Sequence, residues 1–112
     1  MTGLVWLAAS MAPALAGAQG MAEGMAEGMA EVTIREYRFQ PAEVKIRVGT
    51  TVRWTNEEKR TSHSLLFVAP GSVETERLFP GDSWQRKFDQ PGVYPYGCGP
   101  HPEMKGVVEV SE

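Results

Sequence analysis

The chain has 112 residues, with 11 basic and 14 acidic side chains and one cysteine. This length suits one small domain. Three of the acidic residues precede residue 32, so residues 32–112 carry equal numbers of basic and acidic side chains. The sequence has no basic stripe, which argues against a nucleic-acid partner, and a single cysteine excludes an internal disulfide bond.

The first 18 residues have the features of a secretory signal peptide. Residues 4–18 are apolar and small, and they end in two overlapping Ala-x-Ala patterns. The run is too short to span a membrane, and Pro13 and Gly17 disfavour the alternative of a buried helix. No Lys or Arg precedes it, so either the signal is atypical or the chain starts further upstream. We expect residues 1–18 to direct export.

Three copies of Gly-Met-Ala-Glu follow within residues 19–31. A helix would align their methionines, but a glycine at every fourth position costs that helix about 1 kcal/mol each relative to alanine. We interpret the tract as a flexible spacer before a domain at 32–112. The alternative is a Met-rich tail that acquires copper, which the carboxylate in every unit disfavours.

From residue 32 onward, the pattern predicts an antiparallel β-sandwich. Apolar and polar residues alternate at 44–48 and 51–55, as is typical of strands with one buried face. Turn pairs such as Pro80-Gly81 and Pro91-Gly92 separate the later strands, and no segment after the spacer has a helical period. The predicted strands cover residues 32–39, 44–48, 51–55, 63–68, 83–88, 93–98 and 106–110.

The strand at 93–98 places two tyrosines and the cysteine on one face. Period-two alternation puts Tyr94, Tyr96 and Cys98 on the same side. Pro95 points the other way and cannot donate a hydrogen bond to a neighbouring strand. We therefore expect Pro95 at a sheet edge, or with its nitrogen facing away from the neighbour.

Soft metal ligands are concentrated at the end of this strand. The chain reads Cys98-Gly-Pro-His101-Pro-Glu-Met104, and His63 is the only other histidine. Taken singly, a buried cysteine, a core methionine and a hydrogen-bonded histidine are ordinary structural residues. Together, one thiolate, two imidazoles and one weak thioether are the ligand set of a blue copper electron-transfer site. The sequence therefore predicts a metal site at His63, Cys98, His101 and Met104.

Residues 32–112 resemble the cupredoxins, and the ligand loop is most similar to that of the amicyanins within this family. Plastocyanin and pseudoazurin place more residues between the loop histidine and the methionine. The resemblance rests on Tyr37-Arg-Phe-Gln-Pro41, Val44-Lys-Ile-Arg-Val-Gly49, Thr51-Val-Arg-Trp-Thr-Asn56, Leu78-Phe-Pro-Gly81, Pro91-Gly-Val-Tyr-Pro-Tyr-Gly-Cys98 and Cys98-Gly-Pro-His101-Pro-Glu-Met104.

The resemblance implies an all-β, Greek-key sandwich of about eight strands with one type 1 copper ion at one end. It implies His63, Cys98 and His101 as equatorial copper ligands and Met104 as the axial ligand. It further implies a monomer that shuttles single electrons in a bacterial periplasm. The donor would be a dehydrogenase or similar protein and the acceptor a cytochrome c or an oxidase, docking near His101.

Three other classes of function are alternatives to this interpretation. Copper oxidases and nitrite reductases need further histidines for a catalytic copper, and both histidines here are already assigned, so no enzymatic activity is expected. A periplasmic copper carrier or chaperone with the same fold is the main alternative. A structural sandwich with an incidental thiol is the third.

Two positions depart from the cupredoxin pattern. Ser64 stands where asparagine usually follows the upstream histidine, and Gly99 stands where threonine or serine usually follows the cysteine. Those side chains normally bond to each other, so the brace is here either absent or rebuilt by Ser64 bonding to backbone. Gly97 and Gly99 also let backbone approach the Cys98 sulfur, and we expect at least one backbone N–H to point at it.

Overall fold

The computed structural model describes residues 28–69 and 71–112, which form nine β-strands and no helix. The predicted signal peptide at 1–18 and most of the predicted spacer at 19–31 lie outside the described residues. In the described part of the chain, no helix is long and apolar enough to cross a membrane. The strands are β1 (Met29–Arg35), β2 (Arg38–Gln40), β3 (Glu43–Arg47), β4 (Thr50–Asn56), β5 (Leu66–Phe67), β6 (Val73–Glu74), β7 (Ser83–Phe88), β8 (Gly92–Gly97) and β9 (Lys105–Ser111).

The strands form two sheets that pack face to face. One sheet has the order β2-β1-β4-β7 and the other has the order β3-β9-β8-β5-β6. The all-β, Greek-key sandwich is confirmed, with nine strands instead of about eight. The prediction of a purely antiparallel sandwich is wrong, because β1 pairs with β4 and β3 pairs with β9 in parallel. Each parallel pair joins strands that are distant in the chain, where the connection is long enough to bring the second strand back in the same direction as the first.

The predicted strands agree best with the structure where one face is buried. β3 and β4 bury every second residue, as the alternation predicts. The predicted first strand is instead a hairpin, in which β1 ends at Arg35 and a turn at Glu36 and Tyr37 leads to β2. β1 also begins at Met29, three residues before the predicted start of the first strand. The predicted strand at 63–68 is reduced to β5, and His63 makes only an isolated bridge with Leu78.

An aromatic core fills the space between the sheets. Trp54 of β4, Phe67 of β5 and Tyr96 of β8 are buried with their ring centroids within 5.8 Å of one another. The Trp54 indole N–H donates to the Tyr96 hydroxyl at 3.0 Å, so both polar atoms are satisfied. Burial raises the pKa of the Tyr96 phenol well above its ordinary value, although the Trp54 hydrogen bond opposes that shift. Tyr96 therefore stays neutral, as a buried group must unless it is paired.

Arg86 of β7 extends into the edge of this aromatic core. Its guanidinium carbon lies 4.9 Å from the ring centroid of Phe67, 4.8 Å from that of Phe88 and 5.3 Å from that of Tyr94. These distances are within the range of cation–π contacts. Its Nη1 atom is buried and has no hydrogen-bond partner among the residues that the structure describes. The contribution of Arg86 to the fold is therefore packing and ring contact more than hydrogen bonding.

The predicted faces of the strand at 93–98 are confirmed. Tyr94, Tyr96 and Cys98 are buried, and Val93 and Pro95 are exposed. The short β5 pairs only with the last two residues of β8, so Pro95 lies beyond the end of β5 and pairs on one side only, with β9. Pro95 is thus accommodated at a local sheet edge, as its missing N–H requires.

Candidate metal centre

The four predicted ligands lie at one end of the sandwich, on two separate parts of the chain. His63 precedes β5 and is held by paired backbone hydrogen bonds with Leu78, at 3.1 Å and 2.7 Å. Cys98, His101 and Met104 lie on the loop that joins β8 to β9. Because β5 and β8 are neighbours in one sheet, the segment before β5 and the loop after β8 meet.

Three donor atoms converge at this end. The Nδ1 atoms of His63 and His101 each lie 3.6 Å from the Sγ of Cys98. All three donor atoms lie within 4.8 Å of one another. His63 and Cys98 are buried, whereas His101 is partly exposed. The two imidazole rings have centroids 4.9 Å apart. The structure therefore brings together the predicted thiolate and both predicted imidazoles.

The loop that carries the remaining ligands is closed by its own backbone. The Cys98 N–H donates to the Met104 carbonyl at 3.2 Å, and the Met104 N–H donates to the His101 carbonyl at 2.9 Å. The Met104 side chain is buried at this closure. Pro100 and Pro102 flank His101, and each fixes its own φ and removes a backbone donor. The two prolines and the two backbone hydrogen bonds therefore limit the conformations that are open to this loop.

A carboxylate determines which nitrogen of His63 is available. The Nε2 of His63 lies 2.9 Å from Oε2 of Glu58. Burial opposes ionisation of Glu58, but hydrogen bonds from the Tyr37 N–H and from His63 together hold its pKa below the ordinary value. An ionised carboxylate can only accept, so Nε2–H donates to it. The lone pair of Nδ1 is then directed at the cluster, an arrangement typical of metal-bound histidine.

The altered brace is rebuilt through the backbone. The Gly99 N–H donates to the Ser64 hydroxyl at 3.1 Å, and the Ser64 N–H donates to the Cys98 sulfur at 3.5 Å. Of the two alternatives predicted for this position, the rebuilt brace is confirmed, as is the backbone N–H directed at the sulfur. A Cβ at Gly99 would lie 2.7 Å from the Ser64 Oγ and 2.6 Å from an oxygen of Glu74. The hydrogen bond between the Gly99 N–H and the Ser64 hydroxyl therefore requires a residue without a Cβ at position 99.

Sequence reasoning missed three residues that organise this end of the molecule. Fully buried Asn56 donates to the carbonyls of Thr61 and Leu78 and accepts from the Glu58 N–H, which fixes the loop that carries Glu58. Glu58 lies in the loop after β4, where the sequence has no metal-ligand pattern. Tyr37 was placed on a strand, but it contacts both histidine rings from the β1–β2 turn. The sequence feature that could have identified Asn56 is its place as a polar residue at the end of a buried strand.

The donor set and its spacing fit a copper ion. With the bond lengths known for zinc, a metal of similar size, of about 2.0–2.1 Å to nitrogen and about 2.3 Å to sulfur, angles between tetrahedral and trigonal place N and S about 3.5–3.8 Å apart. The observed separation is 3.6 Å for both histidines. A thiolate and two imidazoles with a buried methionine beside them are suited to copper more than to the hard cations.

Comparison with known proteins agrees with this chemistry. The family model for copper binding proteins of the plastocyanin/azurin family matches residues 26–111. The chain is 41% identical over 83 residues to amicyanin-alpha of Methylorubrum extorquens, covering 71% of this chain and 70% of that protein.

Solved structures show the same architecture. A reduced amicyanin variant superposes with a TM-score of 0.71 at 28% identity, covering 76% of this chain and 84% of that chain. A copper-containing nitrite reductase from Thermus scotoductus superposes with a TM-score of 0.70 at 31% identity, covering 74% of this chain. This chain spans only 22% of that enzyme's chain. The match to the copper-binding model extends over nearly all of the described residues, and the donor atoms converge as copper requires. The chain therefore belongs to the plastocyanin/azurin family of copper-binding proteins, it is amicyanin-like, and copper is its cofactor.

Proposed function

We propose that this protein is a type 1 blue copper electron carrier of the bacterial periplasm. The observation that carries the proposal is the pair of 3.6 Å separations between the Cys98 sulfur and the two Nδ1 atoms. In this proposal His63, Cys98 and His101 are the equatorial ligands and Met104 is the axial ligand. When bound, the copper supplies a one-electron Cu(II)/Cu(I) couple whose potential responds to the axial ligand and to hydrogen bonds at the sulfur.

The protein's own contribution is a ligand set that moves little. Glu58 holds the orientation of His63 from the far side of its ring. The Ser64 N–H fixes the Cys98 sulfur from the neighbouring segment. Ligands on two segments, each held by hydrogen bonds, keep one geometry for both oxidation states. Fast electron transfer requires such a geometry, since each rearrangement would add to the barrier.

The route for the electron in this proposal is through His101. Its ring is the partly exposed member of the cluster, and it lies between the exposed residues Pro100 and Pro102. Small apolar surfaces of this kind suit brief docking of redox partners. The proposed partners are a donor such as a dehydrogenase and an acceptor such as a cytochrome c or an oxidase. The carrier would act as a monomer after export.

An enzymatic role is not proposed. The full sequence contains two histidines, His63 and His101, and both belong to the cluster. A second copper site for binding a substrate would need further histidines from another subunit. The similar nitrite reductase is a much longer chain, of which this chain spans 22%, so the likeness gives no ground for assigning that activity here.

Copper loading with visible spectroscopy tests the proposal. Full-length protein incubated with Cu(II) should become intensely blue, because charge transfer from the Cys98 thiolate to Cu(II) absorbs strongly. Cys98→Ala should abolish the band, and an undiminished band would contradict the assignment. Met104→Leu should keep copper bound and shift the potential, and loss of copper would contradict the axial role.

Three further measurements test the proposal and its alternative. A protein that binds only Cu(I), remains colourless and yields its metal to a modest chelator would be a copper carrier or chaperone. Fractionation of a bacterial host expressing the whole chain tests export, since the proposal expects processed protein in the periplasmic fraction. Stopped-flow oxidation of the reduced protein by a cytochrome c tests electron delivery, and a reaction that does not depend on copper would refute it.

A further inference from the structure

Tyr37 occupies a conformation that tyrosine rarely adopts. Arg35 of β1 pairs with Arg38 of β2, so Glu36 and Tyr37 form a two-residue hairpin loop. Their φ angles are 55° and 56°. A loop with two positive φ angles is the type I′ turn, which favours Asn-Gly or Gly-Gly. Residues other than glycine keep a positive φ angle when surrounding contacts impose it, and such residues cluster at functional sites.

The contacts that impose this conformation lie at the metal centre or beside it. The Tyr37 ring meets the His101 ring edge-on with centroids 5.0 Å apart, and it meets the His63 ring edge-on at 5.5 Å. The Tyr37 N–H donates at 2.9 Å to the same Glu58 oxygen that binds His63. Its hydroxyl lies 3.1 Å from the Thr61 hydroxyl. One side chain thus touches both imidazoles and shares the carboxylate that orients one of them.

We propose that Tyr37 is a positioning residue of the copper centre, whose ring fixes the two ligand imidazoles relative to each other and limits the access of water to them. This inference rests on the proposed copper ligation. His63 has no exposed surface although it lies close to the end of the molecule, while 47% of Tyr37 is exposed. The tyrosine is therefore the layer between the histidine pair and solvent on the side of the β1–β2 turn.

Tyr37 matters more for holding the His101 ring than for holding the His63 ring. His63 is also held by Glu58 and by the bridge to Leu78. No hydrogen bond among the described residues holds the His101 ring apart from its contact with the Cys98 sulfur. Two aromatic contacts restrain this ring further, with the His63 ring at 4.9 Å and with the Tyr37 ring at 5.0 Å. The Tyr37 edge contact is the one that comes from outside the predicted ligand set. Removing it should leave His101 mobile in the apo-protein and make the ligand easier to release.

The test compares three variants of the full chain with the wild type. Tyr37→Phe keeps the ring and removes the hydroxyl. Tyr37→Gly removes the ring, and because glycine adopts positive φ without a Cβ clash, the turn is preserved. Tyr37→Asn is a second variant without the aromatic ring, and asparagine tolerates the positive φ angle at this position. Phe79→Ala is the matched control: Phe79 is 57% exposed and its ring stacks on neither histidine in the described structure.

Two measurements are made on each protein. NMR relaxation of the histidine ring signals in the apo-protein reports the mobility of His101 without any copper. The rate of Cu(I) transfer to a chelator reports ligand release in the loaded protein. Tyr37→Phe and Phe79→Ala should match the wild type within about twofold in rate. Tyr37→Gly and Tyr37→Asn should give a mobile His101 ring and release copper about 10-fold faster, which corresponds to about 1.4 kcal/mol.

The reduction potential gives a third, directional result. Water reaching the imidazoles stabilises the more highly charged Cu(II) site over the Cu(I) site, so the ring-free variants should have a lower potential than the wild type. Wild-type ring mobility and release rate in Tyr37→Gly would overturn the inference while leaving a blue wild type in agreement with the proposed function. A Tyr37→Phe variant that behaves like Tyr37→Gly would also overturn it, because the hydroxyl would then be the active group. A wild type that binds no copper would overturn both.

Discussion

Replacing Ser64 by alanine tests the brace between the two ligand segments. Ser64 is 2% exposed, and its hydroxyl is the partner of the Gly99 N–H. Alanine keeps the backbone and the Ser64 N–H bond to the Cys98 sulfur but leaves the Gly99 donor unpaired in a part-buried position. A buried donor without a partner costs about 1–3 kcal/mol. We therefore expect Ser64→Ala to lower the free energy of unfolding of the apo-protein by about 2 kcal/mol.

Gly99→Ala should break the same bond from the other side. Its Cβ would lie 2.7 Å from the Ser64 Oγ, a distance at which the hydroxyl must move and lose the Gly99 N–H. The Glu74 carboxylate, 2.6 Å from the same Cβ, is the end of an exposed flexible chain and can move aside at little cost. In the double variant the Cβ meets no hydroxyl. Because both single changes remove one shared bond, the double variant should cost about as much as either single change, well below their sum.

Urea unfolding of the apo-proteins measures this cycle. With a slope of about 1–3 kcal/mol per molar urea, a loss of about 2 kcal/mol lowers the midpoint by about 1 M. Ser72→Ala is the control, since Ser72 is exposed and its change should stay within about 0.5 kcal/mol. Strictly additive single and double variants would refute the shared bond. The copper-loaded Ser64→Ala protein should keep its charge-transfer band, because the N–H at the sulfur belongs to the backbone.

Three further changes test the core and the site's support by the same unfolding assay. Tyr96→Phe should cost about 1–3 kcal/mol, because the buried Trp54 N–H loses its acceptor; a neutral result would mean that water replaces the hydroxyl. Asn56→Ala should cost about 3 kcal/mol or more, since two carbonyls and the Glu58 N–H lose partners together; a loss under about 1 kcal/mol would contradict that role. Arg86→Met should be tolerated better than Arg86→Ala, because methionine keeps much of the packing and removes the buried Nη1, which has no partner among the described residues. Equal losses would indicate that the charge over the rings matters most.

The sequence predicted most of the strands whose alternation is regular. β3, β4, β7, β8 and β9 follow apolar–polar patterns that burial in a two-layer sandwich requires, and the structure reproduces each within about two residues. The parallel pairing of β1 with β4 and of β3 with β9 was not predictable in this way. Alternation specifies which face is buried but carries no information on which strand lies alongside or in which direction.

At the metal centre, too, the sequence predicted one part of the arrangement and only the folded structure showed the other. The single cysteine, the two histidines and a methionine six residues after the cysteine indicated the donor atoms from their chemistry, because the sequence has no other cysteine or histidine. Their supports, Glu58 behind His63 and Tyr37 across both rings, come from segments that read as an ordinary loop and an ordinary strand. Such contacts depend on where the ends of β1 and β4 lie in the folded sandwich. The amino-acid sequence by itself therefore determined which side chains are available to bind copper, whereas the tertiary structure decided what holds those side chains in place, because the supporting contacts join residues that have no local pattern in common.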